Sequence, residues 1–343
     1  MRISLLFLAT SLASQNLYVQ PQGYEGVEGN SSSGIPFSYA SARVQQADSN
    51  RIGMPMPAIT SLTFRRDRLV GATATARTID VTVLMGKNDI NTFSATFATN
   101  WLSPPSTVYT PKPTNLPDIT VRPPVPPAVF DIAIPFDIPY AYDGVDSFMW
   151  EILVDNGITG TYSMDWVSAA TTTSGPTSTQ LGSGCTTANG VMSLTTAFSA
   201  TATTLNLSFS TLRAPSTAPV ILALGTFDPN LPLPGFCAAL RTDAIIQASI
   251  GTSGATGSLS SVVLPVAWHN SLANVTLFSQ VLSPDLSQAG IPIALSDGRM
   301  STTPPTSGGP APTGIKRTYS LTSSSAVTGS APSVSAVVTQ IAY

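Results

Sequence analysis

Apolar and polar residues alternate at every second position along much of this chain. In residues 78–86, TIDVTVLMG, Ile79, Val81 and Val83 fall on one side and Thr78, Asp80 and Thr82 on the other. Residues 130–138, FDIAIPFDI, repeat the pattern with Phe130, Ile132 and Ile134. A period of two is the mark of a half-buried strand. Residues 147–157 form another such run, which ends at Asn156-Gly157, a pair suited to a tight turn, and residues 160–169 follow as a partner strand would. A second series runs through 192–198, 204–210, 219–225, 244–250, 261–268 and 274–283. Nowhere does a capped stretch of about 12 residues keep a helical period. The pattern therefore predicts an all-β chain of two antiparallel β-sandwich, jelly-roll-like domains.

Between the two series lies AATTTSGPTSTQLGSGC, which carries no hydrophobic pattern. It divides the chain into an N-terminal domain at 17–170, a linker at 171–184 and a C-terminal domain at 185–300. The remainder, 301–343, reads as a mobile or partly β tail, because proline, serine, threonine and glycine dominate it. The proline-dense run 103–130 reads as an extended excursion along a sheet edge. Residues 1–14, MRISLLFLATSLAS, pair one early arginine with a short apolar run and small residues, which predicts a secretory signal peptide and an extracellular or cell-surface protein. The run is too short for a membrane-spanning helix.

Composition narrows the chemistry. Charged residues are 10% of the 343 and hydrophobic ones 43%, whereas a typical soluble domain is about 25% charged. The formal net charge is -3, and the FRRDR cluster at 64–68 is the one local concentration of basic residues. A neutral, hydroxyl-rich surface without a basic face excludes nucleic acid as the expected partner; FRRDR reads as a solvated strand edge. The two cysteines, Cys185 and Cys237, are read as one disulfide in an exported chain, with two inert buried thiols as the alternative.

Catalytic candidates are few. The single histidine, His269, follows an apolar run and has no G-x-S-x-G nucleophile elbow to serve. Glycoside hydrolysis needs two carboxyl groups roughly 5 to 10 Å apart in a cleft. Glu151 beside Trp150 and Asp165 beside Trp166 are the candidates, on strands expected to be neighbours. These four residues make a possible carbohydrate-contact face; the alternative puts the tryptophans in the core and the acids in solvent. Asp143 and Asp146, around Gly144, form a possible Ca²⁺ loop, with a plain turn as the alternative.

Several short motifs resemble a C-terminal module of secreted, uncharacterised two-domain β proteins of planctomycete-type bacteria. They are GSGC at 182–185, LALG at 222–225, LPLPGFC at 231–237, LFSQ at 277–280 and ALSDG at 294–298. The upstream cues are 23–37, 59–67 and 134–144. The resemblance implies a disulfide between the two module cysteines and brings no catalytic residues with it. The expected function is that of a secreted, non-enzymatic structural or binding protein contacting polysaccharide, matrix or further copies of itself. The alternative is a carbohydrate-binding module or a carbohydrate-active hydrolase.

Overall fold

The computed structural model describes residues 15–68, 74–121 and 126–343. The expected signal peptide at 1–14 lies outside the described residues. The fold is all-β, built of antiparallel sheets, and its only helical turns among the described residues are two short 3₁₀ segments, Phe97–Asn100 and Asn270–Leu272. The first nine strands are β1 (Leu17–Gln20), β2 (Ser31–Ser33), β3 (Ala42–Asp48), β4 (Met56–Arg65), β5 (Arg77–Asn88), β6 (Ser106–Leu116), β7 (Phe130–Tyr142), β8 (Ser147–Asp155) and β9 (Met164–Val167). Next come β10 (Thr173–Ser174), β11 (Thr179–Leu181), β12 (Thr186–Thr187), β13 (Gly190–Val191), β14 (Ser193–Ala200), β15 (Thr204–Leu212), β16 (Pro219–Gly225), β17 (Ile246–Thr252) and β18 (Leu259–Ala267). The last six are β19 (Thr276–Pro284), β20 (Ile293–Leu295), β21 (Gly298–Thr302), β22 (Ile315–Ser320), β23 (Ala336–Val337) and β24 (Thr339–Ala342).

The chain forms two compact units, one of residues up to Ala169 together with Ala311–Tyr343, the other of Ala170–Pro310. In the first unit a sheet ordered β1-β24-β4-β7 faces one ordered β22-β3-β8-β5-β6. Alternation sets what lies between them. Leu62 and Phe64 of β4 and Ile132 and Ile134 of β7 meet Val81 and Val83 of β5 and Trp150 and Ile152 of β8. Phe64 and Trp150 touch edge to face, ring centres 6.1 Å apart, a favoured aromatic geometry. A third sheet, β2-β9-β23, adds a further layer. In the second unit the sheet β10-β14-β15-β18 packs against β11-β21-β19-β16-β17, with β20 paired to β19. Leu205, Leu207 and Phe209 of β15 share a core with Leu222 of β16 and Val281 of β19.

Two expectations are corrected here. The segment 301–343, expected as a mobile or partly β tail, is no free tail and is divided between the two units. Its first residues belong to β21 in the second unit, and β22, β23 and β24 pair within the first, where β24 lies between β1 and β4. Buried Val337, Val338, Ile341 and Ala342 anchor it, and these small apolar residues are diluted by serine and threonine in the sequence. Residues 171–184 are not a free linker either: β10 pairs with β14 and β11 with β21, so the stretch edges both sheets of the second unit.

Candidate functional site

Strand β8 governs the site. Phe148, Trp150, Ile152 and Val154 enter the core, which turns Glu151 and Leu153 onto the outer face of the five-stranded sheet. Beside them in register lie Arg43 and Gln45 of β3 and Leu84 of β5. A cover sits on this face. The turn Phe97–Asn100 binds the 327–329 segment through Phe97 N–H donating to Val327 O and Gly329 N–H to Ala95 O. Arg43 donates to Ala326 O at 2.9 Å and its guanidinium stacks 4.5 Å above the Phe97 ring. Gln45 Nε2 donates to Phe97 O and to Glu151 Oε2, both at 3.1 Å, and Asn100 Nδ2 donates to Gln45 Oε1 at 2.9 Å.

Beside this cover an open cleft of about 830 Å³ is lined by Trp101, Leu84, Leu153, Arg43, Pro105 and the Ser324–Ser325 segment, with Glu151 at its floor. Trp101 is half-buried. It owes its seat to Gly86, where a Cβ would lie 2.9 Å from the indole ring. The Glu151 side chain is 1% exposed and ion-paired with Arg43, which is 20% exposed. A carboxylate held this way fixes the guanidinium's direction and is occupied by protein partners. The groups the cleft offers are an indole face, an apolar wall, a guanidinium whose Nε and Nη1 already serve Glu151 and Ala326 O, and two serine hydroxyls, of which Ser324 donates to Asp155 at 2.7 Å and Ser325 is bonded to Ser323 at 2.9 Å.

The structure does not bring Trp150, Glu151, Asp165 and Trp166 onto one face. Trp150 is wholly buried and its indole N–H donates to Gln20 Oε1 at 2.8 Å. Asp165 is wholly buried on β9, where Arg65 Nε donates to it at 2.7 Å and Gly29 N–H at 2.8 Å. Gly29 is required there, because a Cβ would lie 2.1 Å from Trp166 O. Burial pushes the Asp165 carboxyl up to about 7, with Arg65 pulling the other way. Trp166 is half-buried and the Arg317 guanidinium lies 3.3 Å over its ring. The expectation that the acids point to solvent is therefore corrected along with the shared face. So is the solvated FRRDR edge: Arg65, Arg66 and Asp67 are buried, because the third sheet covers that side of β4.

Asp143 and Asp146 face an ammonium rather than an open oxygen cage, with Lys87 Nζ 2.9 Å from one and 3.7 Å from the other. A Ca²⁺ at this loop would have to displace Lys87. Among the described residues no group of three or more His, Cys, Asp or Glu is arranged to hold a metal. His269 is exposed, and its Nδ1 caps the Asn270–Leu272 turn by accepting from Ser271 N–H at 3.3 Å, with the Ser271 hydroxyl 2.8 Å away. The disulfide is formed: Cys185 and Cys237 are bonded, Cα atoms 5.3 Å apart. No helix among the described residues is long and apolar enough to cross a membrane.

Sequence reasoning passed over Trp101 and Arg43. Trp101 follows a 3₁₀ turn that carries no alternation, so the hydrophobic pattern did not point to it. Its one signal is an isolated tryptophan ahead of the proline-rich run. No family model, no curated protein and no solved structure matches the chain.

Proposed function

We propose that this is a non-enzymatic binding protein acting outside the cell, and that the cleft beside Trp101 receives a neutral, hydroxyl-rich polymer, a polysaccharide above all. The observation that carries the reading is the half-exposed indole of Trp101 set among Arg43 and the Ser324–Ser325 hydroxyls in an otherwise apolar cleft. An indole face covers the C–H face of a sugar ring, while a guanidinium and hydroxyls bond its rim. The low overall charge matches an uncharged ligand. The extracellular setting is supported by the signal-like start of the sequence and by the disulfide.

Binding without hydrolysis is supported by the carboxylates. Glu151 is the one acid lining the cleft, and it is engaged by Arg43 and Gln45. Acid–base hydrolysis needs a second carboxyl within roughly 10 Å across the substrate. The test is a glycan-array screen followed by titration of the bound oligosaccharide. Trp101→Ala should weaken binding by at least about tenfold, about 1.4 kcal/mol. A Trp150→Phe control should bind as the wild type does. Product release that disappears in Glu151→Gln would favour a hydrolase instead, and the absence of any neutral-glycan ligand would remove the reading.

A further inference from the structure

In each unit the two facing sheets end side by side in a pair of terminal strands that contact each other, β6 with β7 in the first and β17 with β18 in the second. The first pair is closed. The Asp137 carboxylate of β7 accepts from Thr110 N–H at 2.9 Å, from Thr110 Oγ1 at 2.8 Å and from Lys112 of β6. Pro111, Pro113, Pro135 and Pro139 remove donors from the two strands. Proline and charge are the usual guards of a sheet edge. Other sheet ends are short, as in β1, β2, β10, β11 and β23, or charged, as in β22 with Lys316 and Arg317.

The second pair has little of this protection. No Asp, Glu, Lys or Arg occurs from Ala244 to Pro284, a stretch that contains both strands. Its guards are Pro265 and two register shifts, one where β17 meets β16 and one where β18 meets β15. Ile245 and Ile246 are 65% and 57% exposed, and Val263 and Val266 are 48% and 42%. A terminal strand also presents backbone donors and acceptors that only another strand satisfies as a row.

We propose that the β17/β18 side is an interaction surface for a second copy of this chain. A charged partner would set its charges against isoleucine and valine. The two strands of a second copy carry no charged residue either, the nearest along the chain being Asp243 ahead of β17, so two copies meet along these strands without like-charge repulsion. Antiparallel pairing about a two-fold axis lets each supply the strand and the apolar side chains the other lacks. The surface is built from the second unit and the Trp101 cleft from the first, and the proposal does not depend on what that cleft binds.

The test is sedimentation velocity on the full chain from about 1 to about 100 μM, a range that brackets dissociation constants in the micromolar class. The wild type should move from monomer to twice the monomer mass. Ile246→Lys and Val263→Lys should each raise the dissociation constant at least about tenfold. Both replace exposed side chains, so their melting temperatures should match the wild type; if one fails to fold, Ser261→Lys on exposed β18 takes its place. Thr195→Lys, on the exposed face of the inner strand β14, should associate as the wild type does. A wild type that stays monomeric throughout, or lysine variants that associate unchanged, would overturn the proposal.

Discussion

The β6/β7 side of the first unit and the β17/β18 side of the second are built alike and finished differently. Each is the place where two facing sheets run out of strands. One is closed by an aspartate, a lysine and four prolines, the other left nearly bare. The same division runs through the whole chain. The second unit holds seven charged residues (Arg213, Asp228, Arg241, Asp243, Asp285, Asp297 and Arg299) of the 33 that 15 Lys and Arg plus 18 Asp and Glu make. The first unit places several of its charges inside, with Arg65, Asp165, Asp48 and Arg317 all buried. The second unit has the disulfide. The second unit buries charge too, in Asp285 and in Asp297 beside Arg299, so the difference is one of degree: fewer charges with a covalent staple in one unit, more charges and no staple in the other, and it leaves its mark on the surface.

The largest expected effect breaks the charge side of this comparison. Asp165→Ala strands the Arg65 guanidinium in the interior and should cost about 3 to 5 kcal/mol, read by urea unfolding. An effect below 1 kcal/mol would mean that the network is dispensable. Next comes the staple. Cys185 and Cys237 are separated by 52 residues, and the chain-entropy account gives about 4 kcal/mol for such a loop, less any native strain. Cys237→Ser, or reduction, should lower the melting temperature of the second unit and leave the first unchanged.

A finer contrast is pH dependence. Asp48 is pushed up to about 6 by burial, against hydrogen bonds from Tyr18 Oη at 2.5 Å and Asn50 N–H at 2.8 Å. Its folded value lies above the ordinary carboxylate value of about 3.9, so the folded state holds the proton more tightly. The stabilising contribution is complete below about pH 4 and is lost as pH rises through about 6. Asp48→Asn should flatten the stability–pH curve of the wild type in that window; an unaltered curve would assign the slope elsewhere. The smallest effect concerns the closed edge. Hydrogen bonds from Lys112, then Thr110, hold Asp137 down to about 2, so its contribution is present above about pH 4 and lost as pH falls through about 2. Asp137→Ala should speed hydrogen exchange at the Thr110 amide while overall stability changes little.

The strands were legible because alternation is a local signal. Phe148, Trp150, Ile152 and Val154 fall on one side of β8 by spacing alone, and that side is the core. What alternation cannot report is whether the other side meets solvent. Glu151 and Arg65 both occupy outward positions by spacing, yet a loop covers one and a third sheet the other. The partner of Arg65 lies 100 residues further along the chain, a separation that leaves no trace in local pattern. The C-terminal strands were only partly legible, for another reason. In SVSAVVTQIAY, small residues fill a tight place between β1 and β4, and their composition is that of a flexible segment. The candidate site was the least legible part, because Trp101 follows a 3₁₀ turn without alternation and gains meaning only from Arg43, whose position in the chain is distant.

The most direct measurement of the contrast between the two edges is hydrogen exchange followed by mass spectrometry at about 1 and about 100 μM protein, spanning micromolar association. Protection that rises with concentration in β17 and β18 and stays constant in β6 and β7 is the predicted result. Concentration-dependent protection in β6 and β7, or none in β17 and β18, would contradict it.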